Sequence, residues 1–114
     1  MKIRNLTRQV LIAQDIIVAD NPWSRMKGLL GRKSLSFDQA LVLRPCNSVH
    51  MLFMQFAIDI LFLNKENMVV GLVQELKPNH FSPVYFKAQS AIELPASTIK
   101  ITNTQIGDQI EFLA

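Results

Sequence analysis

One cysteine, Cys46, in 114 residues excludes an internal disulfide, so no covalent cross-link holds this chain together, and a reducing compartment is compatible with it. No apolar run approaches the roughly 20 residues that a membrane-spanning helix requires. The opening, MKIRNLTRQVLIAQDIIVAD, is basic but has no continuous apolar stretch, and it reaches Asp15 before any small-residue cleavage pattern. That argues against a signal peptide and makes a soluble cytoplasmic protein the expectation, with no membrane partner. There is no CxxC or HExxH pair to announce a metal, and Gly28-Leu29-Leu30-Gly31-Arg32 lacks the glycine-lysine ending of a phosphate loop. No internal repeat or flexible linker interrupts the chain, and its length supports one domain, residues 1–114.

Apolar residues are abundant, at 49% with seven phenylalanines, enough for a compact core. Their spacing is mainly that of strands. VLIAQDIIV, Val10 to Val18, is rich in β-branched residues and reads as one strand, with Asp15 disturbing its alternation. Ala40 to Leu43 reads as a short strand stopped by Pro45. Ala57 to Leu63 and Met68 to Leu76, joined by the turn residues Asn64 to Asn67, form the best hairpin candidate. Ser90 to Leu94 and Lys100 to Thr102 are further short strands, and Ile110 with Phe112 marks a terminal one after the Gly107-Asp108 turn.

The single helix signal is in ADNPWSRMKGLLGRK. Asp20 or Asn21 can cap it, Pro22 fits its first turn, Gly31 can close it, and Trp23, Met26 and Leu30 share the side expected to face the core. The pattern therefore predicts a mainly β, compact, β-barrel-like domain with one principal short helix, because closure removes exposed strand edges.

The residues with chemistry cluster in PCNSVHMLFMQFAIDILFL. Cys46 and His50 stand four apart, and Asp59 follows nine residues later. An imidazolium beside a thiol lowers its pKa and a carboxylate can orient the imidazole, so Cys46, His50 and Asp59 form a candidate catalytic group. The competing reading is an apolar cysteine, a hydrogen-bonded histidine and an aspartate that caps backbone donors at a strand mouth, and it needs fewer assumptions. Cys46 and His50, with His80 or Met54, are too few ligands for a structural zinc site, and no cofactor is implied. Asp59 and Glu93 each lie in an apolar strand and need a positive or backbone partner, for which Arg44 is one candidate.

Two binding surfaces compete with these. The loop KPNHFSPVYF brings His80, Phe81 and Tyr85 near the central motif as a partly apolar rim for a small molecule or a protein partner, with Met54 beside it. Met1 to Arg44 carries eight basic and three acidic residues, against four and six in the remainder. Arg25, Lys27, Arg32 and Lys33 are therefore the candidates for nucleic-acid phosphates, although a solvated helix face explains the same charges and argues against that partner.

PWSRMKGLLGR, ALVLRPCNSVHMLFMQFAIDILFLN, SAIELPA and IGDQIEF, in that order, resemble domain of unknown function family 192, also described as uncharacterised ancient conserved proteins, over about residues 17 to 113. The resemblance implies a compact β-barrel-like fold with a short helix, and it matches Gly28, Leu29, Cys46, His50, Met54, Asp59, Glu93, Gly107 and Asp108 to the family pattern. Met51, Asn64 and Ser97 depart from it. A small-ligand or protein-interaction module is the leading expectation for function, ahead of an enzyme built on the Cys46 and His50 centre.

Overall fold

The computed structural model describes residues 1–114, except for the side chain of Met26. Eight strands and two short helices follow in the order β1 (Lys2–Asn5), β2 (Val10–Ala13), β3 (Asp15–Ala19), α1 (Pro22–Lys27), β4 (Gln39–Leu43), β5 (Ile58–Leu63), β6 (Val69–Leu76), β7 (Ser90–Pro95), α2 (Thr98–Thr102) and β8 (Ile110–Leu113). They make a five-stranded sheet ordered β3-β4-β7-β5-β6 and a three-stranded sheet ordered β2-β1-β8. The mainly β expectation is met, and β5–β6 is the antiparallel hairpin read from its turn residues. The strand orders give two sheets, and among the described residues the strand pairing does not close into a barrel.

The core is split by the central sheet. β5 and β7 pair antiparallel, with Asp59 opposite Leu94, Ile60 opposite Glu93 and Leu61 opposite Ile92, and every residue of both strands is buried. Because neighbouring residues on a strand point to opposite faces, these two strands supply two cores. On one face Leu61, Leu63, Ile92 and Leu94 pack with Ile3, Ile12 and Ile110 of the smaller sheet and Ile99 of α2. On the other, Ile58, Ile60, Phe62 and Ala91 pack with Leu29, Val49, Met51 and Ala88 from the connecting segments.

Several local expectations give way to tertiary contacts. Val10 to Val18 is broken at Gln14, because the amides of Gln14 and Asp15 both donate to the Asp38 carbonyl at 2.9 Å, and the chain leaves one sheet for the other there. Lys100 to Thr102 is helical rather than extended. The Thr98 hydroxyl donates to the Pro95 carbonyl at 2.7 Å, and the Ile99 amide, which a first helical turn leaves unpaired, donates to Asp59 Oδ2 at 2.8 Å. The first strand, Lys2–Asn5, carries no clear periodicity and is fixed by β2 and β8 on either side.

The helix α1 starts where its capping residues place it. Asn21 Oδ1 accepts from the Ser24 amide at 2.9 Å and Ser24 Oγ accepts from the Asn21 amide at 3.3 Å, with Pro22 in the first turn. It closes at Gly28, whose φ of 45° suits glycine, and not at Gly31. With fewer than two turns, the helix has no sustained apolar face. Trp23 is 80% exposed and Leu30 half-buried, so the expected inward stripe is replaced by Leu29, just past the helix, while the side chain of Met26 lies outside the described residues. The helix lies in the crossover between β3 and β4, the parallel pair of the larger sheet, where a connection of this kind is required.

Gly71 on β6 sits opposite Phe62 and under the Tyr85 ring, whose centroid is 4.6 Å from that of Phe62. A Cβ at Gly71 would overlap the Tyr85 ring. Gly71→Ala should therefore destabilise the fold by about 1–3 kcal/mol, the usual cost of overpacking. A chemical-denaturation midpoint equal to that of the wild type would show that the ring moves aside freely.

Candidate functional site

The second core does not fill completely. Between α1, the end of β4, the segment 45–54 and β7 lies a cavity of about 320 Å³. Its inner wall is Leu29, Leu43, Val49 and Glu93, and its outer wall includes Arg25, Lys27, Cys46, His50, Leu52 and Met54. The segment that forms this wall has little regular structure, and hydrogen bonds between its backbone and the loop before β7 hold it. The Val49 amide donates to Ser82 Oγ at 2.8 Å, the Met51 amide to the His80 carbonyl at 2.8 Å, the Tyr85 amide to the Asn47 carbonyl at 2.9 Å and the Cys46 amide to the Gln89 carbonyl at 3.1 Å.

Glu93 is the unusual member. It is 6% exposed, in a strand whose same-face partners are Leu41 and Ile60, and its carboxyl makes no side-chain hydrogen bond among the described residues. Burial alone raises its pKa to about 7. The signals in the sequence are its match to the family pattern and an acid between Ile92 and Leu94 in an otherwise apolar strand, which identify a group needing a partner but not a cavity.

Cys46 and His50 both line this cavity, and Met54 does too. The thiol donates to the Ser48 carbonyl at 3.1 Å. Burial, with a smaller contribution from the negative charge of Glu93, pushes the Cys46 thiol above its ordinary pKa despite the opposing charge of Arg25. His50 is exposed, pairs by one β-bridge with Phe81, and has its ring 6.5 Å from that of Phe81.

Asp59 is not in this group. It is one register position from the Ile60–Glu93 pair and so faces the other side of the sheet, where Oδ1 accepts from the Glu75 amide at 2.9 Å and Oδ2 from the Ile99 amide at 2.8 Å. The expectation that it orients the imidazole is corrected by that alternation. Arg44 answers neither acid, because its guanidinium lies 4.7 Å above the Phe112 ring.

The other expected binding residues separate. His80 is exposed beyond the cavity lining, with Nδ1 3.0 Å from the Pro78 carbonyl, and Phe81 is 65% exposed. Tyr85 is drawn inward against Phe62 and Gly71, so it does not join an aromatic rim. Of the basic set, Arg25 donates through Nη1 to the Pro45 carbonyl at 3.1 Å and lines the cavity with Lys27, whereas Arg32 and Lys33 lie outside its lining. Among the described residues no three His, Cys, Asp or Glu side chains gather as a metal site.

A raised carboxyl pKa means that the folded state holds its proton more tightly than the unfolded chain. Stability contributed by neutral Glu93 is therefore present at low pH and is lost as pH rises from about 4.5 to about 7. Glu93→Gln should remove this loss and be more stable than the wild type above pH 7, by an amount on the order of 3 kcal/mol, with the difference shrinking toward pH 4.5. Denaturation midpoints across that range check it, and a pH-independent difference contradicts it. For Cys46, iodoacetamide alkylation near neutral pH should be slower than that of an unfolded control, and His50→Ala should leave the folded rate within about twofold, since the thiol is not activated. Fast, His50-dependent alkylation is the contrary result.

Comparison with known proteins agrees with this geometry at the level of the fold. The model of the family described as uncharacterized ACR, domain of unknown function 192, matches residues 4–112. A UPF0127 protein of Pyrococcus furiosus is 37% identical over 111 residues, covering 95% of each chain. A UPF0127 protein of Thermococcus sibiricus is 30% identical over 112 residues, 95% of this chain and 72% of that one. The crystal structure of a protein of unknown function from Novosphingobium aromaticivorans superposes with a TM-score of 0.83 at 15% identity, over 97% of this chain and 82% of the other.

Proposed function

The chain belongs to the uncharacterized ACR family, domain of unknown function 192, and on that premise we propose that it is a small-ligand-binding protein whose site is the cavity beneath α1. The observation that carries this reading is Glu93. A largely buried carboxyl with no hydrogen bond among the described residues is costly, and an apolar residue in its place would make a more stable strand. Stability sacrificed at one buried position is the usual mark of a group kept for binding. The cavity beside it is within the size range of small-molecule sites, and its walls combine apolar side chains with a few polar groups, as such sites do.

The rival readings have less support. A Cys46 and His50 enzyme would need an activated thiol, whereas burial and Glu93 both oppose ionisation of Cys46. A nucleic-acid surface would need its four cations facing outward, whereas Arg25 is tied to Pro45. A protein partner would have Phe81 and the exposed Phe86 to contact, without Tyr85 between them.

A panel of small neutral and charged fragments followed by backbone NMR tests the proposal. Binding should perturb Leu29, Leu43, Cys46 to Met54 and Glu93 together, and Glu93→Leu, which keeps the strand apolar, should change which fragments bind. Shifts scattered over the surface, or none at any soluble concentration, would overturn it.

A further inference from the structure

We propose that the ligand of this cavity is a zwitterion: a protonated amine seated against the Glu93 carboxylate, a short apolar middle, and an anionic end on the Arg25 and Lys27 side. This rests on the small-ligand reading and specifies its chemistry. Glu93 is buried at the inner wall with all of its acceptor capacity unused by the described residues. Its two directly paired neighbours, Leu41 and Ile60, have no donor to offer. Its acceptors are therefore free for a ligand donor, and a charged one suits the ionised carboxyl best, since an ammonium-carboxylate hydrogen bond is roughly twice as strong as a neutral one.

A plain cation fits the rest of the cavity poorly. Arg25 and Lys27 line the same space, so a lone amine would approach one acid past two permanent positive charges. An anionic group at the far end turns that repulsion into attraction. Arg25 gives Nη1 to the Pro45 carbonyl and keeps Nη2 unbonded among the described residues, while its Nε is buried away from the cavity, so the anionic end meets the outer part of the guanidinium. Between the two poles the walls are Leu29, Leu43, Val49 and Met54, which favour a hydrocarbon spacer. The volume of about 320 Å³ has room for an amino acid with a short chain separating its charges and for several waters beside it.

The probes are 4-aminobutyrate, 5-aminopentanoate and 6-aminohexanoate, each compared by NMR titration with the ω-hydroxy acid and the n-alkylamine of matching length. One amino acid of the series should bind at least tenfold tighter than both of its matched controls. Glu93→Gln should erase the preference for amine over hydroxyl, and Lys27→Gln, at an exposed position, should reduce the preference for the amino acid over the alkylamine at least threefold, an unchanged preference counting against the anionic end; circular dichroism confirms that both variants are folded. Equal binding of the hydroxy acid, or an amine preference that survives Glu93→Gln, overturns the zwitterion. If neutral fragments shift the cavity residues and no amino acid does, the ligand class is wrong and the small-ligand reading stands. If neither fragments nor amino acids bind, both fall.

Discussion

The antiparallel pairing of β5 with β7 is the constraint on which the remainder depends. Both strands are buried at every residue, so each neighbouring pair of side chains is divided between two cores. A one-residue shift of β5 would put Asp59 on the Glu93 face and turn every apolar side chain of β5 to the opposite core. The smaller sheet and α2 cover one side of this pair, while irregular segments, including Leu29 just past α1, cover the other. Irregular segments pack less completely than a sheet does, and the cavity opens on their side.

Three buried carboxylates show how differently the same group can be accommodated. Asp59 receives two backbone amides, one from Glu75, where β6 bends with φ 53°, and one from Ile99 at the start of α2, and so ties two elements to the central sheet. Asp108 lies at the turn before β8. Burial there is outweighed by hydrogen bonds from Arg8, Asn5 and the Gln105 amide, which hold its carboxyl below the ordinary range and draw the two ends of the chain together. Glu93 has neither an amide nor a cation against it, and burial acts on it unopposed. The first two acids are explained by the fold they hold, and no contact among the described residues explains the third.

The proline-containing loop has a part different from the one its composition advertises. Turn residues and aromatics in KPNHFSPVYF read as a contact surface, yet Ser82, His80 and Tyr85 bond the backbone of the segment carrying Cys46 and His50. Tyr85 is held by its fit over Gly71. The loop thereby gives shape to a wall that has no ladder of its own, and Phe81 and Phe86 remain outside.

Strands β4 to β7, their turn at Asn64 and the capping of α1 were legible because alternation, proline, asparagine and glycine act over a few residues. The family was legible for a related reason, since its motifs are local strings. Wholly buried strands such as Ile58–Leu63 reveal burial but not which face meets which layer, and so the division into two sheets could not be read from them. Trp23 misled because a short helix need not bury its apolar residues. By itself the sequence determined the elements and a short list of polar residues inside them. Only the tertiary structure decided that Cys46, His50 and Glu93 share a cavity and that Asp59 does not, because strand register assigns faces and register is settled by partners distant in the chain.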